Sequence, residues 1–323
     1  MRIGILGAAR IAPVALIKPA RESAEVKVAA VAARDVSRAQ AFSAKHGIAR
    51  VHESYEALIA DPDLDAVYNP LPNGLHGRWT RAALAAGKHV LCEKPFTANA
   101  AEAREIAELA AKSDRVVMEA FHYRYHPLIL RVEEIIASGE LGKLERVEAA
   151  FCFPLPKFSD IRYNYSLAGG ATMDVGCYAV HLVRTLGGST PKVVSAQAKL
   201  RDPQVDRAMM AELRFTGGHT GRIRCSMWSS DLLRLSAKVV GERGELRVLS
   251  PVAPFRRLSV RLADGNRVER FPSRATYAYQ LDAFAASVLR GEPVKTTPED
   301  AIENMTVIDE IYRAAGLPLR KPA

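Results

Sequence analysis

Arg2-Ile3-Gly4-Ile5-Leu6-Gly7-Ala8-Ala9-Arg10-Ile11-Ala12 joins a short apolar run to a turn of small residues. The run predicts a buried strand, and the residues after the turn predict the start of a helix. In dinucleotide-binding loops, three small residues let the chain turn tightly, approach a pyrophosphate and pack helix against strand. Here Gly7, Ala9 and Ala12 occupy those places, and Ala9 departs from the usual glycine. We expect a cofactor to contact four residues of this loop: Gly7, Ala9, Arg10 and Ile11.

The first 120 residues repeat this alternation of strand and helix. Apolar runs predict strands at residues 2–6, 26–33, 65–69, 89–92 and 116–119. Helical patterns lie at 11–22, 36–46, 55–60, 76–86 and 100–113. Strands that alternate with helices form parallel βαβ units, so residues 1–120 predict a doubly wound parallel sheet, the Rossmann arrangement.

From residue 121 onward the alternation stops. Extended stretches follow one another at 144–153, 193–200, 207–215, 219–227, 234–241, 244–249, 257–262 and 267–271. Glycine-rich turns such as Thr216-Gly217-Gly218 separate several of them, which predicts a largely antiparallel open sheet. Helices are predicted at 127–138, 174–186, 277–290 and 298–315. The predicted fold class is α/β, with the Rossmann domain at 1–120 and an α+β domain at 121–323.

The composition argues against several classes of protein. Among the 323 residues, the apolar stretches stay well short of those needed to span a bilayer, and the net charge of +9 is dispersed rather than clustered. We therefore expect no membrane or nucleic-acid partner. The four cysteines show no C-x-x-C spacing, so neither a metal site nor disulfides are predicted. The first strand starts at Arg2, which leaves no space for an export leader, and we expect a cytoplasmic protein.

Glu93-Lys94-Pro95 closes the buried strand predicted at 89–92. Open α/β sheets bind ligands at the carboxyl ends of their strands, and Pro95 prevents a helix from starting through the lysine. Lys94 is therefore a candidate catalytic residue, and Glu93 is expected to orient a neighbour. The loop after the strand at 65–69 adds further cofactor candidates: Pro70, Leu71, Asn73 and His76. For Asn73 and His76 the alternative is a role in the turn and the helix cap.

The end of the second strand decides the choice of cofactor. NAD-binding chains commonly carry there a carboxylate that binds the ribose 2′-hydroxyl. In Val31-Ala32-Ala33-Arg34-Asp35-Val36-Ser37-Arg38, Ala33 at that position leaves Arg34 and Arg38 to bind a 2′-phosphate. The pattern favours NADP over NAD. A register shift of one residue would instead make Asp35 the ribose ligand, with the two arginines as a solvated pair.

A second group of polar side chains lies in Gly169-Gly170-Ala171-Thr172-Met173-Asp174-Val175-Gly176-Cys177-Tyr178-Ala179-Val180-His181. On a helix, Asp174, Tyr178 and His181 would share one stripe among apolar neighbours. Buried polar groups need partners or a ligand, so the three are candidates for catalysis and substrate binding. The structural alternative is a helix N-cap at Asp174, a half-buried Tyr178 and a hydrogen-bonded core His181.

The order of these segments resembles the Gfo/Idh/MocA oxidoreductase family. The resemblance runs from the first loop through Pro70-Leu71-Pro72-Asn73-Gly74-Leu75-His76 and Gly87-Lys88-His89-Val90-Leu91-Cys92-Glu93-Lys94-Pro95 to the Asp174 segment, and covers essentially the whole chain. It implies that Lys94 contacts both the nicotinamide ribose and the reacting hydroxyl. It also implies that the residue four places after the helix aspartate, here Tyr178, exchanges the proton.

A tyrosine at position 178 is similar to the branch with glucose-fructose oxidoreductase, dihydrodiol dehydrogenase and NADP-dependent xylose dehydrogenase. Ala168 departs from that branch, in which three consecutive glycines are common. Asp174 is expected to orient Lys94 or to bind a sugar hydroxyl, and an ammonium near Tyr178 would favour its phenolate. The loop with Arg162 and Tyr163 is expected to cover the substrate. His181 either extends the proton path or has a structural role.

The resemblance implies an NADP-dependent oxidoreductase that moves hydride between the nicotinamide and a sugar or polyol hydroxyl, with C1 of an aldose as the first choice. Alternatives are a trans-dihydrodiol dehydrogenase, a keto-sugar reductase and, in another class, an NADP-binding sensor without catalysis. The domain at 121–323 is expected to bind the substrate and to pair into a homodimer or homotetramer.

Overall fold

The computed structural model describes residues 1–252, 257–262 and 265–323, which divide into two compact units. The first unit comprises Met1–His122, Arg274–Ile302 and Pro322, and the second comprises Tyr123–Ser273, Glu303–Lys321 and Ala323. The predicted boundary after residue 120 assigns residues 274–302 to the second domain, whereas they pack with the first unit. Hydrogen bonds explain the difference: Glu119 N donates to Thr296 O over 3.0 Å, and Thr296 Oγ1 donates to Glu119 O over 2.7 Å.

A parallel sheet forms the centre of the first unit. In chain order, strands β1 to β6 span Arg2–Leu6, Lys27–Ala32, Arg50–His52, Ala66–Asn69, His89–Cys92 and Val117–Glu119. They lie side by side in the order β3-β2-β1-β4-β5-β6, and each neighbouring pair is parallel. The strand order reverses between β1 and β4, the place at which doubly wound sheets bind ligands. The predicted Rossmann arrangement is confirmed.

The helices follow the predicted pattern closely. In chain order, α1 to α9 span Lys18–Glu22, Val36–His46, Tyr55–Ile59, His76–Ala85, Ala100–Ala111, Pro127–Ala137, Cys177–Gly187, Thr276–Arg290 and Pro298–Ala314. Two of them begin with a wider turn, since the π-helical segments Pro13–Ile17 and Thr172–Gly176 run directly into α1 and α7. The prediction missed β3, because Arg50-Val51-His52 is a three-residue edge strand without an apolar run.

An open sheet forms most of the second unit. In chain order, β7 to β14 span Leu144–Cys152, Lys192–Asp202, Val205–Arg214, Thr220–Ser226, Arg234–Gly241, Gly244–Leu249, Arg257–Leu262 and Gly265–Arg270. Their order is β14-β13-β12-β11-β7-β10-β9-β8. Neighbouring strands are antiparallel except for β7 and β10, which run parallel, so the largely antiparallel sheet is confirmed. Helix α7 packs against β7 and β10.

The four cysteines, Cys92, Cys152, Cys177 and Cys225, are buried and unbridged. No group of three or more His, Cys, Asp or Glu residues in the described part of the chain is arranged to hold a metal ion. Across residues 1–252, 257–262 and 265–323, no helix has the length and apolar character needed to cross a bilayer.

Candidate active site

The loop after β1 has the geometry of a dinucleotide-binding turn. Gly7 adopts a φ of +94°, and its N–H donates to Ala32 O on the neighbouring strand over 2.7 Å. A Cβ at Gly7 would lie 3.1 Å from Leu71 Cδ2, so both conformation and space favour glycine here. Ala9 does not have a positive φ, since the described non-glycine residues with a positive φ are Ala168 and Ser250. Its backbone conformation therefore does not require glycine, which explains why alanine is tolerated there. Arg10 and Ile11 are exposed beside it.

The hydrogen bonds of Asp35 bear on the two alternatives at the end of β2. Its Oδ1 accepts hydrogen bonds from Ser37 N at 2.9 Å, Ser37 Oγ at 2.6 Å and Arg38 N at 3.4 Å, so Asp35 is the N-cap of α2. The Ser37 hydroxyl is the main cause of the lowered pKa of this carboxyl. Ala33 is buried, and Arg34 and Arg38 are exposed. The arrangement favours the two arginines, rather than Asp35, as the groups that meet the cofactor.

Tyr55 is a cofactor candidate that the sequence did not indicate. Its hydroxyl is hydrogen-bonded to the Arg34 backbone and would lie 3.8 Å from a Cβ at Gly7. Burial raises the pKa of this phenol, and the Arg34 backbone opposes that rise. Its ring packs edge-on against Trp79, with 4.8 Å between ring centroids. The phenol therefore lies between the Gly7 turn and the arginine pair, although in the sequence it is only the first residue of a short helix.

Lys94 follows β5 directly, at the carboxyl end of the parallel sheet. It is partly buried, and its peptide bond to Pro95 is cis. The neighbouring Glu93 is buried and accepts a 2.7 Å hydrogen bond from Tyr68 Oη, so its carboxylate is held by β4. Tyr68 thus fixes the Glu93 carboxylate next to Lys94 in the chain, and Lys94 lies at the strand end that the sequence indicated.

Two buried histidines lie in the electrostatic field of Lys94. Burial, with a further contribution from Lys94, lowers the pKa of His122 to about 3. Burial lowers the pKa of His76 to about 4, against the opposing effect of two carbonyl oxygens, and Lys94 again adds to the shift. His122 Nδ1 lies 2.6 Å from Thr276 Oγ1, and the ring stands 3.9 Å from that of Tyr277. Both imidazoles are therefore neutral beside the ammonium.

His76 is completely buried and ties two loops together. Its Nδ1 lies 2.7 Å from Pro95 O, and its Nε2 lies 2.7 Å from Leu71 O. A neutral imidazole donates through one of these nitrogens only. The contacts join the loop after β4 to Pro95, the residue after Lys94, which gives His76 a role in fixing that loop. Pro70 and Leu71 are buried in the same loop, and Asn73 starts a short 3₁₀ turn at Asn73–Leu75.

In the second unit, Asp174 lies inside the π-helical turn Thr172–Gly176. The N-caps are Ala171 for this turn and Gly176 for α7, so the alternative of Asp174 as a helix N-cap is wrong. Its side chain is 13% exposed and Oδ2 lies 3.5 Å from Arg162 Nε, while Arg162 remains 43% exposed. A largely buried carboxylate beside a half-exposed guanidinium forms a polar pair that a hydroxylated ligand can contact.

Tyr178 and His181 both face Tyr123. The Tyr178 ring is 7% exposed and stacks on Phe151, with 5.2 Å between centroids and 14° between planes. Its centroid lies 6.2 Å from that of Tyr123. His181 is buried, and its Nδ1 lies 2.5 Å from Tyr123 Oη. The predicted shared face of Tyr178 and His181 agrees with these contacts, and the bond to buried Tyr123 favours a structural role for His181.

Tyr163 is anchored within the loop that precedes Asp174. It belongs to the 3₁₀ turn Ile161–Tyr163, and its hydroxyl donates to Leu155 O over 2.9 Å. Burial raises the pKa of this phenol to about 12. The described hydrogen bond gives Tyr163 a role in shaping the loop. Arg162, whose Nε also lies 4.0 Å from Asp160 Oδ1, is the more exposed of the two predicted loop residues.

Comparison with known proteins supports the resemblance drawn from the motifs. The model of an oxidoreductase family with an NAD-binding Rossmann fold matches residues 1–121, and the model of the GFO/IDH/MocA C-terminal domain matches residues 129–247. The D-xylose 1-dehydrogenase (NADP(+)) 2 of Haloferax volcanii is 40% identical over 318 residues, 98% of this chain and 97% of that protein.

Two further matches are to enzymes named for other oxidation or reduction reactions. Mouse trans-1,2-dihydrobenzene-1,2-diol dehydrogenase is 34% identical over 259 residues, 79% of this chain and 76% of that enzyme. The 3-ketoreductase of Actinomadura kijaniata, solved with NADP and TDP-benzene, superposes with a TM-score of 0.90 at 29% identity, covering 97% of each chain. The resemblance, including the predicted branch, is confirmed by these matches.

Proposed function

Since the chain belongs to the Gfo/Idh/MocA oxidoreductase family, we propose that it transfers hydride between NADP and a sugar or polyol hydroxyl, with C1 of an aldose as the preferred group. The position of Lys94 carries the proposal. Its ammonium stands at the carboxyl end of β5, beside His76 and His122, two bases that burial keeps neutral. Both histidines stay neutral, and we assign Lys94 as the ammonium that meets the reacting hydroxyl.

NADP fits the described residues of the first unit. The glycine at position 7 leaves the backbone open to a pyrophosphate, and Arg34 and Arg38 offer positive charge to a 2′-phosphate beside Tyr55. The cofactor supplies the hydride acceptor or donor when it is bound. The 40% identity to an NADP-dependent xylose dehydrogenase, over 98% of this chain, supports the choice of NADP over NAD. The other proposed contacts are Ala9, Arg10, Ile11, Pro70, Leu71, Asn73, His76, Glu93 and Lys94.

Each proposed catalytic residue has a separate task. Lys94 donates a hydrogen bond to the reacting hydroxyl and holds its oxygen as the proton leaves. Tyr178 exchanges that proton through its hydroxyl, and stacking on Phe151 keeps the ring in one orientation. Asp174 and Arg162 accept from and donate to the other hydroxyls of the substrate, as their mixed pair of charges allows. Tyr163 and His181 shape the surrounding loop and helix.

The relatives support a sugar substrate, and one of them supports a second candidate. An aldose is supported by the xylose dehydrogenase, whose match covers 98% of this chain. Reduction of a keto-sugar by NADPH is the second candidate, favoured by the TM-score of 0.90 to a 3-ketoreductase. The same residues serve both directions, since the group that accepts a proton in oxidation donates it in reduction.

Pairing of identical chains and a cytoplasmic location belong to the same proposal. Strand β8 exposes Val194 at 63% and Leu200 at 43%, apolar side chains that a second copy would cover. We propose a homodimer or homotetramer that uses this sheet. Within each chain we propose that the first unit binds the cofactor and that the second unit supplies most of the substrate contacts.

The direct test is turnover by the purified chain. NADP or NAD is mixed with a panel of aldoses, polyols and trans-diols, and NADPH with keto-sugars, while the absorbance of reduced nicotinamide is followed. We expect oxidation of an aldose with NADP and little with NAD. Oxidation of diols alone, or reduction of keto-sugars alone, would replace the aldose with that substrate. Binding of NADPH without turnover in either direction would refute the enzyme and leave the sensor.

A further inference from the structure

The second unit contains an ion pair that is completely withdrawn from solvent. Arg320 Nη2 lies 3.0 Å from Asp206 Oδ1, and both side chains are 0% exposed. Asp206 is the second residue of β9, and Arg320 lies after α9, near the end of the sequence. Two charges are costly to bury unless each is surrounded by hydrogen-bond partners. The pair therefore links segments that are far apart in the sequence, and its hydrogen-bond partners have to offset the free-energy cost of burying two charges.

Each carboxylate oxygen of Asp206 accepts two hydrogen bonds. Its Oδ2 accepts from Thr172 N and from Thr172 Oγ1, each over 2.7 Å. Its Oδ1 accepts from Tyr312 Oη and from Arg320 Nη2, each over 3.0 Å. Thr172 is the first residue of the π-helical turn that carries Asp174. The carboxylate thus fixes the start of that turn.

Arg320 holds the chain just before the same turn. Its Nε donates to Gly169 O over 2.6 Å, and its Nη1 donates to Pro318 O over 3.0 Å. The guanidinium lies over the rings of Tyr312, 4.1 Å from the centroid, and Tyr165, at 5.2 Å. A lysine could not make the same set of planar contacts, because it lacks the forked donors and flat face of arginine.

The Gly169-Gly170 turn connects the ion pair to Arg162 and Asp174, the residues that we propose bind the substrate. Gly170 N donates to Arg162 O over 2.7 Å, and Asp174 N donates to Gly170 O over 3.0 Å. A Cβ at Gly170 would lie 2.3 Å from Asp206 Oδ1 and 2.8 Å from Arg320 Nη2, so the turn is in van der Waals contact with the ion pair. Arg162 and Asp174, paired at 3.5 Å, are therefore both attached by their backbones to Gly170.

We propose that Arg320 and Asp206 are positioning residues, which fix the Gly169-Gly170 turn so that Arg162 and Asp174 present one geometry to the substrate. The inference rests on the proposed function, because it assigns the turn to sugar binding. The ion pair itself touches no substrate. A buried ion pair adds little net stability compared with apolar packing, but it can select one conformation among several. Here the selected conformation is that of the loop from Arg162 to Asp174.

The test compares three variants in the full chain. Arg320→Lys keeps the charge and loses the forked donors of the guanidinium, and Thr172→Val removes the hydroxyl that donates to Asp206. Arg184→Lys is the matched control, since Arg184 is another buried arginine of the second unit, paired with Glu303 over 2.6 Å. For each we would measure the KM for the sugar, kcat, the Kd for NADPH and amide hydrogen exchange over residues 162–176.

In Arg320→Lys we expect the sugar KM to rise by at least about 10-fold, since small displacements of binding groups have large effects. Exchange should become faster in residues 162–176 while the NADPH Kd is unchanged. Thr172→Val should change both in the same direction by less, and Arg184→Lys should change neither. The inference is overturned if exchange and sugar KM stay at wild-type values, or if exchange accelerates throughout the second unit and NADPH binding weakens.

Two further outcomes are distinguishable. If wild-type protein turns over no sugar in either direction, the proposed function fails, whereas faster exchange confined to residues 162–176 still supports positioning of the loop. If Arg320→Lys does not fold, Thr172→Val decides alone, because its backbone N–H still reaches Asp206. Wild-type exchange and sugar KM in Thr172→Val would then overturn the inference.

Discussion

The segment around Lys94 and the segment around Asp174 are held in place by different means. Lys94 follows a short strand directly, and the residues that fix its surroundings, such as His76 and Tyr68, come from neighbouring strands and loops of the same sheet. Asp174 depends on Asp206, Tyr312 and Arg320, which lie 32 to 146 positions further along the chain. The first arrangement follows from a local motif and sheet topology. The second requires most of the second unit to be folded.

A short motif can therefore indicate a candidate catalytic residue without showing what supports it. Parallel strand order brings the carboxyl ends of β4 and β5 together whenever the sheet forms. No comparable rule brings the end of the chain to the Gly169-Gly170 turn. Substitutions near Lys94 should therefore affect chemistry more than stability, and substitutions near Gly170 should do the reverse.

The largest expected effect on activity comes from Lys94→Ala. Removing the ammonium should lower kcat by about 10³-fold, the scale seen when one donor to a developing oxyanion is lost. The NADPH Kd and the thermal midpoint should change little. Lys45→Ala, in an exposed lysine of α2, is the control. Wild-type kcat in Lys94→Ala would contradict the catalytic role of the segment around Lys94 and favour a sensor without catalysis.

Gly170→Ala should produce the largest loss of stability. Its Cβ would overlap Asp206 and Arg320, so we expect the free energy of unfolding to fall by at least about 3 kcal/mol. Gly188→Ala is the matched control, because Gly188 has a φ of +75° and its Cβ would meet no atom of the described residues within 4 Å, apart from its chain neighbours. Backbone strain alone should lower its stability by about 1 kcal/mol. Equal losses in urea unfolding would show that packing against the ion pair is unimportant.

Much of the fold could be predicted because its signals are local. Strands such as β1 and β5 are apolar runs bounded by turns, and their predicted bounds match the structure. The edge strand β3 was missed because its three residues carry no such signal. The assignment of residues 274–302 differed because α8 has an ordinary helical pattern, and hydrogen bonds at Thr296 decide which unit it joins.

Tyr178→Phe should lower kcat by about 10²-fold, because it removes the hydroxyl that exchanges the proton. The phenyl ring keeps the stack on Phe151, so the thermal midpoint and NADPH affinity should stay close to wild type. Tyr279→Phe, a tyrosine of α8 in the first unit, serves as the control. If both variants retain full turnover across the pH range, another group exchanges the proton.

Arg34→Ala should weaken NADP binding by about 2 kcal/mol, or about 30-fold, and leave NAD binding nearly unchanged. The reason is the loss of a charge-assisted bond to the 2′-phosphate. Asp35→Ala is the control that separates the two interpretations of this strand end. As the N-cap of α2 it should reduce the thermal midpoint slightly without altering the ratio of NADP to NAD affinity. A selective loss of NAD affinity in Asp35→Ala would restore Asp35 as the ribose ligand.

Candidate site residues can be proposed from the sequence where residue type and position suffice. Lys94, Asp174 and Tyr178 stand out because polar groups follow or interrupt apolar runs. Tyr55, Phe151 and Arg320 could not be found, because their importance lies in contacts with residues far away in the sequence. Asp35 leaves two interpretations open in the sequence, and the hydrogen bonds of its carboxylate favour the N-cap over the ribose ligand.

The surroundings of Lys94 also predict how stability depends on pH. The folded-state pKa of His122 is about 3, whereas the ordinary value is 6.5, so the unfolded chain binds more protons between these two values. The stabilisation is complete above pH 6.5 and is lost progressively as the pH falls towards 3. Comparison of wild type with His122→Gln isolates this residue, because the other histidines contribute equally to both proteins.

Between pH 7.5 and pH 5.5, the unfolding free energy of wild type should fall by about 1.4 kcal/mol more than that of His122→Gln. Below pH 6.5, unfolding binds one more proton at His122, and each pH unit then changes the unfolding free energy by about that amount. Urea unfolding at the two pH values measures it. The result would show that the local arrangement around Lys94 in the first unit includes a neutral imidazole at His122. Equal losses in the two proteins would mean that His122 is protonated in the folded state near pH 6, and that Lys94 shares its positive charge with a neighbour.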